Sequence, residues 1–436
     1  MSIFLSIFFA FLAICLLLHL HTYNSNKLSS DNLAYHTLQR TYLGGYLLAV
    51  AGDWLQGPHL YTLYNSYNFS KHQIELLFVV GFSSALIFGT AIGTFADKLG
   101  RKFNCILYGI FYTICCITKH YNNFFVLAVG CILGGVSTCI LFSAFESWLI
   151  HDFNRQNIDK SLLGNIFSTS VLCNSIVAIL MGLVAQLSVD AFGYTTPFEI
   201  AACLFFLMIV YITWNWKENY GSQETSVCLS LGNAFQLIKS DYKVLCLGMI
   251  QSLFEGSMYV FVLEWTPSLN YAKDFLVIKE PLPYGLIFSI FMLCVMIGSY
   301  IFKILSQKMP VESFMRYVLI VSAVSLMVPL AFRHHLFILF AAFLVFEVCV
   351  GIFWPSISTL RGKYLKDDTR ATVMNIFRIP LNLIVVTILL SNLSHDVIFI
   401  SCSGSLILSS IFQHFLFNLC QENLDSSPSL NKQQTI

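Results

Sequence analysis

Long apolar runs separated by short polar segments dominate this chain. A helix of about 20 apolar residues crosses the roughly 30 Å hydrocarbon core of a lipid bilayer. On that criterion we predict thirteen membrane-spanning helices, over residues 3–20, 43–64, 73–96, 103–119, 124–150, 162–187, 197–214, 244–266, 284–306, 314–331, 335–355, 372–391 and 396–418. The pattern therefore predicts an all-α protein embedded in a membrane.

The longest polar interruption, at 215–243, separates the last twelve spans into two sets of six. We predict an N-terminal transmembrane helix (1–22), an N-terminal six-helix bundle (41–216), a central cytoplasmic loop (217–243), a C-terminal six-helix bundle (244–420) and a disordered cytoplasmic tail (421–436). A short interfacial helix is expected at 228–239. The first span has no preceding basic residue and no clear small-residue cleavage site, which favours a retained helix over a signal peptide.

The positive charges predict the orientation of these helices. If the twelve-helix core begins in the cytoplasm, seventeen of the 24 Lys and Arg residues lie in inner loops. Five lie in outer loops, namely Lys71, Lys119, Lys273, Lys279 and Arg333. Because basic loops stay on the cytoplasmic side, this asymmetry supports both the orientation and the number of spans.

Composition excludes several functional classes. Apolar residues make up 57% of the chain and charged residues 11%, against about 25% charged in soluble proteins, and mean hydropathy is +0.72. The net charge of +1, without a basic block, gives no electrostatic basis for binding nucleic acid. Most of the 14 cysteines lie in apolar runs, and no His or Cys spacing matches a metal site. No nucleophile and base constellation emerges, so we expect neither an enzyme nor a cofactor.

A short motif joins the second and third core helices. Gly93 would allow a neighbouring helix to approach closely, and Gly100 would allow a left-handed turn in a very short loop. Asp97 could pair with Arg101 or with the N-terminal end of another helix. Together with Lys102, these residues are predicted to form a gating latch between the two halves of the chain.

This motif resembles the signature loop of the major facilitator superfamily. Residues 52–58 in core helix 1, 142–148 in helix 4 and 375–381 in helix 11 are more specifically similar to the molybdate-anion transporter family of that superfamily. The resemblance implies a major facilitator fold of two six-helix bundles. It also implies uptake of molybdate or a similar small oxyanion, by alternating access, across a cell membrane that we take to be the plasma membrane.

The sequence departs from that family at one position. Where relatives have a basic residue before the double glycine of helix 4, this chain has Cys131 before Gly134 and Gly135. The departure weakens any prediction of a charge relay between core helices 2 and 4.

Ionisable residues inside the predicted spans are candidates for binding substrate or protons. The resemblance implies that core helices 1, 4, 7 and 10 line a central cavity, and we assign one acid to each: Asp53, Glu146, Glu255 and Glu347. A carboxylate within a membrane is costly unless it faces water, a partner or a substrate. Arg378 is the only basic residue well inside a predicted span, and its planar fork of donors suits a tetrahedral oxyanion. All five could instead form buried pairs that hold helices together, and Glu146 could pair with Arg101.

Alternative functions remain open at this stage. Four acids and one arginine fit a proton-coupled carrier of a small organic or cationic solute as well as they fit an anion carrier. The two can be reconciled if some of the acids bind protons that travel with the anion. A non-transporting membrane receptor or scaffold is the alternative from another class.

Two of the predicted helices contain residues that disfavour a continuous helix. Gly57 with Pro58, and also Pro380, are predicted to interrupt their helices and to leave backbone groups free to face the cavity.

Overall fold

All regular secondary structure in the described residues is α-helical. The computed structural model describes residues 2–23, 33–156, 158, 163–220, 227–276, 280–365, 367–391 and 393–425. Its helices are α1 (Ser2–Tyr23), α2 (Leu33–Gln56), α3 (Leu60–Ser66), α4 (Lys71–Leu99), α5 (Arg101–Thr118), α6 (Phe124–Leu141), α7 (Ala144–Arg155), α8 (Leu163–Phe192), α9 (Thr196–Asn215), α10 (Val227–Ser240), α11 (Tyr242–Phe275), α12 (Tyr284–Ser306), α13 (Val311–Phe332), α14 (Leu336–Tyr364), α15 (Asp367–Leu390) and α16 (His395–Asp425). The predicted all-α class is confirmed.

Two of the predicted spans are each built from two helices. Core helix 1 consists of α2 and α3, separated at residues 57–59, as Gly57 and Pro58 predict. Core helix 4 consists of α6 and α7, and its break at Phe142 and Ser143 has neither glycine nor proline to announce it. The predicted interruption at Pro380 is wrong, because α15 continues through that residue. One proline removes one backbone hydrogen bond, which can bend a helix without ending it.

The same helix pairings occur in both halves of the chain. In the first half α2 packs against α8 and α9, α5 against α6 and α9, and α4 against α6. In the second half α11 packs against α15 and α16, α13 against α14 and α16, and α12 against α14. Each half has its own hydrophobic core. The halves meet along two seams, α8 with α12 and α4 with α15.

The remaining helices are attached mainly to the C-terminal bundle. Helix α1 packs on α12, with Cys15 Sγ 2.9 Å from Met296 Sδ, and Phe4 stacks against rings of α14. The predicted interfacial helix at 228–239 is present as α10 and packs against α15. Helix α16 ends at Asp425, past the predicted boundary of the disordered tail at residue 421, and residues 426–436 of that tail lie outside the described part of the chain.

Many of these helices are suited to a membrane. Among the described residues, nine helical segments are long and apolar enough to cross a bilayer, and Ile3–Leu18 and Ile376–Leu390 are shorter apolar helices. Helices α2 and α5 fall outside that set. Polar residues of α2, including Asp53 and Gln56, lower its hydropathy, although its pairing with α8 and α9 places it inside a bundle.

The two halves touch at what we call the outer face, the side that carries residues 67–70, 119–123, 193–195, 276, 280–283, 333–335, 391 and 393–394. The backbone N–H of Gly285 on α12 donates to Gln186 Oε1 on α8 at 2.8 Å. The ring of His59 lies between Tyr194 and Tyr284, with both centroids 6.2 Å away. The outer face is therefore closed in this structure.

Candidate functional site

Asp53 is held in place by the neighbouring helices of its own bundle. It lies near the end of α2, and Tyr112 on α5 donates its hydroxyl proton to Asp53 Oδ1 at 2.8 Å. The same tyrosine oxygen is 3.1 Å from Thr138 Oγ1 on α6. Tyr112 thus links three helices at the carboxylate and fixes its position beside the space between the bundles.

Arg378 lines a cavity at the junction between the two halves. The cavity lies between α4, the break separating α6 from α7, and α15, and its lining includes Gly89, Cys139, Ser143 and Asn382. The guanidinium carbon of Arg378 lies 4.9 Å from the centre of the Phe142 ring, within the range of a cation–π contact. Because Phe142 and Ser143 are the residues at which core helix 4 breaks, the break presents a ring and a hydroxyl to this cavity.

Tyr259 connects the predicted residues of the two bundles. It lies one helical turn beyond Glu255 on α11 and packs edge-on against Phe82 of α4, with centroids 5.5 Å apart. Its hydroxyl is within electrostatic range of Asp53, Glu255 and Arg378. Glu255 is buried, and its charge is within range of Arg378. Among the described residues, Glu255 Oε1 has no hydrogen-bond partner.

Asp53, Glu255 and Arg378 therefore all lie within electrostatic range of Tyr259, although neither carboxylate lines the cavity at Arg378. Sequence reasoning missed Tyr259, although its spacing of four residues from Glu255 places both side chains on one face of a helix. The arrangement combines Arg378, two carboxylates and hydroxyl groups near the junction of the halves, and Arg361 of α14 is also within electrostatic range of Glu255. Such a site can bind a small charged solute and can hold protons.

The other two predicted acids are not among the electrostatic neighbours of Tyr259, although Glu146 shares the neighbour Tyr46 with Asp53. Glu347 is buried in α14 and has Cys294 of α12 as an electrostatic neighbour. Glu146 is exposed in the first turn of α7, on the cytoplasmic side of Arg378, and its charge reaches Tyr42 and Tyr46 of α2. The expectation that each cavity helix carries a single acid is also wrong, because Glu264 is a second, buried acid on α11.

Comparison with known proteins identifies the family. A family model described as sugar transporters with twelve transmembrane segments matches residues 3–339. The molybdate-anion transporter of Takifugu rubripes is 32% identical over 388 residues, covering 81% of this chain and 79% of the relative. That of Xenopus laevis is 32% identical over 371 residues, covering 83% and 80%. The chain belongs to the molybdate-anion transporter family.

Solved structures confirm the fold of this transporter. A mutant of the nucleoside transporter NupG aligns with a TM-score of 0.67 at 14% identity, covering 87% of this chain and all of that one. A D-xylose–proton symporter aligns with a TM-score of 0.65 at 11% identity, covering 87% and 96%. The predicted major facilitator fold is thus confirmed. The chain is a multi-pass membrane transporter of this superfamily, and not an enzyme.

The predicted latch of the transporter makes several contacts inside the N-terminal bundle. Gly100 has a φ of 106°, which is the left-handed turn predicted for it. Arg101 Nη1 donates to the carbonyl oxygen of Ser147 at 3.1 Å, and Lys102 Nζ donates to that of Thr213 at 2.8 Å. Gly93 and Asp97 lie in the part of α4 whose side chains the structure does not describe. A latch between the two halves remains a prediction.

Residues 216–220 also belong to this assembly, although 217–220 were assigned to the central loop. The carboxylate of Glu218 accepts from the backbone N–H groups of Lys102 at 2.9 Å and Phe103 at 3.1 Å, and so caps the N-terminus of α5. The ring of Trp216 stacks on Trp148 with centroids 3.8 Å apart. The segment that follows α9 is therefore bound to the N-terminal bundle.

Lys119 lies beside the position at which the transporter departs from its relatives. It was predicted to lie in an outer loop, but it is only 2% exposed at the end of α5. Its Nζ donates to the hydroxyl of Tyr64 at 2.6 Å and is 4.0 Å from Cys131 Sγ. A positive charge thus reaches the surroundings of Cys131 from α5 instead of from α6.

We expect Lys119→Met to lower the thermal stability of the purified transporter. The substitution removes the ammonium donor of the buried Tyr64 hydroxyl and leaves it only the weak contact with Cys131 Sγ at 3.5 Å, which costs about 1–3 kcal/mol. Melting followed by intrinsic fluorescence in detergent measures the effect, with Lys308→Met at an exposed position as the matched control. Adding Cys131→Arg should restore part of the loss if the charge is what matters. Equal melting temperatures for the two single variants would contradict the expectation.

Proposed function

We propose that this transporter mediates uptake of molybdate, or of a similar small tetrahedral oxyanion, by alternating access, with protons moving together with the anion. The observation that carries the proposal is Arg378, whose guanidinium group lines the cavity between the two bundles. A planar fork of N–H donors pairs well with oxyanions. Asn382, whose amide is a neutral donor, lines the same cavity. The molybdate-anion transporters among its relatives support this choice of substrate.

The two acids near Arg378 support the coupling to protons. A dianion beside ionised Asp53 and Glu255 would be repelled, since unit charges a few ångströms apart interact strongly away from bulk water. One proton on the two carboxylates would balance the charge of Arg378, and a second proton would leave the three groups with a net positive charge that favours an anion. Protons and anion would then enter together and leave together.

The arrangement of the bundles supports alternating access. The two halves have largely separate cores and pack together mainly along α8–α12 and α4–α15, so a rocking motion can open one face while it closes the other. The breaks in core helices 1 and 4 lie in helices that the family resemblance assigns to the cavity. We further propose that Gly93, Asp97, Gly100, Arg101 and Lys102 act as the cytoplasmic latch of this motion, and that the protein resides in the plasma membrane.

Uptake of labelled molybdate into cells that express this chain, compared with cells carrying an empty vector, tests the proposal. We expect saturable uptake that excess sulfate reduces and that an inward proton gradient stimulates. An uncharged sugar should not compete. Uptake no higher than in the control cells would overturn the choice of substrate, and uptake indifferent to an imposed pH gradient would remove the coupling to protons. Surface biotinylation of the same cells tests the location.

A second candidate is a proton-coupled carrier of a small organic or cationic solute. It is favoured by the two carboxylates, Asp53 and Glu255, that lie within electrostatic range of Tyr259 together with Arg378. Competition separates the two candidates, because an oxyanion carrier should be inhibited by sulfate and a carrier of this second kind by organic cations or sugars. A receptor would instead bind its ligand without net flux.

A further inference from the structure

A buried ion-pair cluster joins the two halves at the outer face. Lys71, at the start of α4, places its Nζ 3.3 Å from Glu264 Oε1 on α11. The same ammonium is 3.5 Å from Glu75 Oε1 on its own helix. The side chain of Glu264 is only 2% exposed, whereas those of Lys71 and His395 are 32% and 39% exposed. The cluster thus has a buried carboxylate and two basic groups that outside water can reach.

His395, the first residue of α16, lies between the acid and the lysine. Its Nδ1 is 2.7 Å from Glu264 Oε2, and its Nε2 is 3.5 Å from Lys71 Nζ. A neutral imidazole carries one N–H group and one lone pair. Because Nδ1 is the ring nitrogen nearest a carboxylate, we assign the single proton of the neutral ring to it, which leaves the lone pair of Nε2 facing the ammonium group of Lys71. This contact suits the neutral ring.

A second proton on the ring conflicts with this contact. It would add an N–H group at Nε2 and give the ring a full positive charge, 3.5 Å from the ammonium of Lys71. Like charges at such a distance repel each other. The protonated ring and the lysine can therefore not both occupy their observed positions without a cost.

The members of the cluster belong to different moving bodies. Glu264 and His395 are in the C-terminal bundle, whereas Lys71 and Glu75 are in the N-terminal bundle. Opening the outer face would carry Lys71 away together with Glu75. The lone pair of Nε2 would then be free, and Glu264 would need a new positive partner, which a proton on His395 supplies.

We propose that Nε2 of His395 is a proton-binding site of the open outer face, where a bound proton and the Lys71 contact exclude each other. By linkage, a proton that binds better to the open state favours opening. Acidification of the outer solution is therefore expected to open the outer gate. The inference concerns the gate alone and holds for whichever solute is carried, so failure of molybdate uptake would leave it untouched.

The other ionisable groups around the His395 ring are consistent with opening on acidification. Arg333 and Asp396 pair with each other at 3.5 Å, and both line the outer cavity that His395 shares with Ser268 and Tyr271. This cavity gives outside water a route to the ring. On the other side, Tyr61 of α3 is within electrostatic range of Glu75 and Glu264, and Cys402 of α16 is in range of Glu264. His72 of α4 is in range of Glu75, which pairs with Lys71 in the cluster.

Hydrogen exchange of the purified full chain in lipid nanodiscs tests the proposal. Backbone exchange at residues 182–190 and 284–290 reports the separation of α8 from α12 at the outer face. After correction for intrinsic rates, we expect protection there to fall about fivefold or more between about pH 8 and about pH 6. His395→Gln should remove this dependence on pH. Lys71→Gln should give low protection at both pH values.

His335→Gln is the matched control, because His335 is exposed at the same face at the start of α14. It should retain the wild-type dependence on pH. The proposal would be overturned by unchanged dependence in the His395→Gln protein, or by protection that rises on acidification. Lys71→Gln tests the same contact from the other bundle, so the proposal can still be tested if one of the two variants folds poorly.

Discussion

Replacing Arg378 with alanine is expected to abolish anion uptake while the transporter still reaches the membrane. The guanidinium group lines the cavity between the halves, and its removal takes away the positive charge that we assign to the anion. Truncating one partner of a buried charge pair costs 2–5 kcal/mol, which predicts a loss of about 30-fold or more in uptake at low substrate concentration. Labelled molybdate uptake, normalised to surface protein, is the measurement.

Two further variants make the Arg378 experiment decisive. Arg378→Lys keeps the charge but loses the planar fork, so we expect weak uptake with a raised KM. Arg40→Ala removes an exposed arginine near the start of α2, and it should behave as wild type. If Arg378→Ala transports molybdate normally, the residue has a structural role and the anion binds elsewhere.

Adding a single methyl group at Gly285 is expected to stop the transport cycle without unfolding either bundle. Gly285 lies on the α8–α12 seam at the outer face. A Cβ atom there would overlap the carbonyl oxygen of Gly182 and lie 2.7 Å from Gln186 Cβ, both on the opposite bundle. The backbones could not approach as they do here, so the outer face of Gly285→Ala should stay open. We expect at least about a tenfold loss of uptake, which corresponds to 1.4 kcal/mol.

A glycine-to-alanine substitution at other positions should either destabilise one bundle or have no effect. Gly298 packs inside the C-terminal bundle, where a Cβ would overlap the carbonyl oxygen of Val348 and lie 2.8 Å from Gly351 Cα. Gly298→Ala should therefore lower the melting temperature. Gly404 has nothing within 4 Å of its Cβ position, so Gly404→Ala is the neutral control. If Gly285→Ala melts early, as Gly298→Ala should, the seam is part of the folding core and not a gate.

Helix breaks show how far local sequence signals reach. Gly57 and Pro58 announced the interruption of core helix 1, because both residues disfavour a continuing helix. The break at Phe142 and Ser143 has no such signal. There the backbone N–H of Ser143 turns to the carbonyl oxygen of Ile140 and its hydroxyl donates to that of Cys139 at 2.7 Å. Only the packing around α6 and α7 can select that turn.

The site was predictable in its residue types but not in its geometry. Asp53, Glu255 and Arg378 stand out because ionisable groups are rare inside spans. The direction in which Glu347 points is set by its neighbour, since Phe346 stacks on Phe254 with centroids 6.1 Å apart and turns the acid toward another side of α14. Lys119 likewise looks like a loop residue in the sequence. Its burial could not be predicted, because Tyr64, which accepts from its ammonium group, comes next to it only in the folded chain.

The anchoring of residues 216–220 shortens the tether between the two bundles. Glu218 and Trp216 fix one end of the connection to the N-terminal bundle, and α10 fixes the other end to α15. The chain from Tyr220 to Val227 can extend to no more than about 25 Å. As long as both anchors hold, the connection limits how far the cytoplasmic ends of the two bundles can move apart.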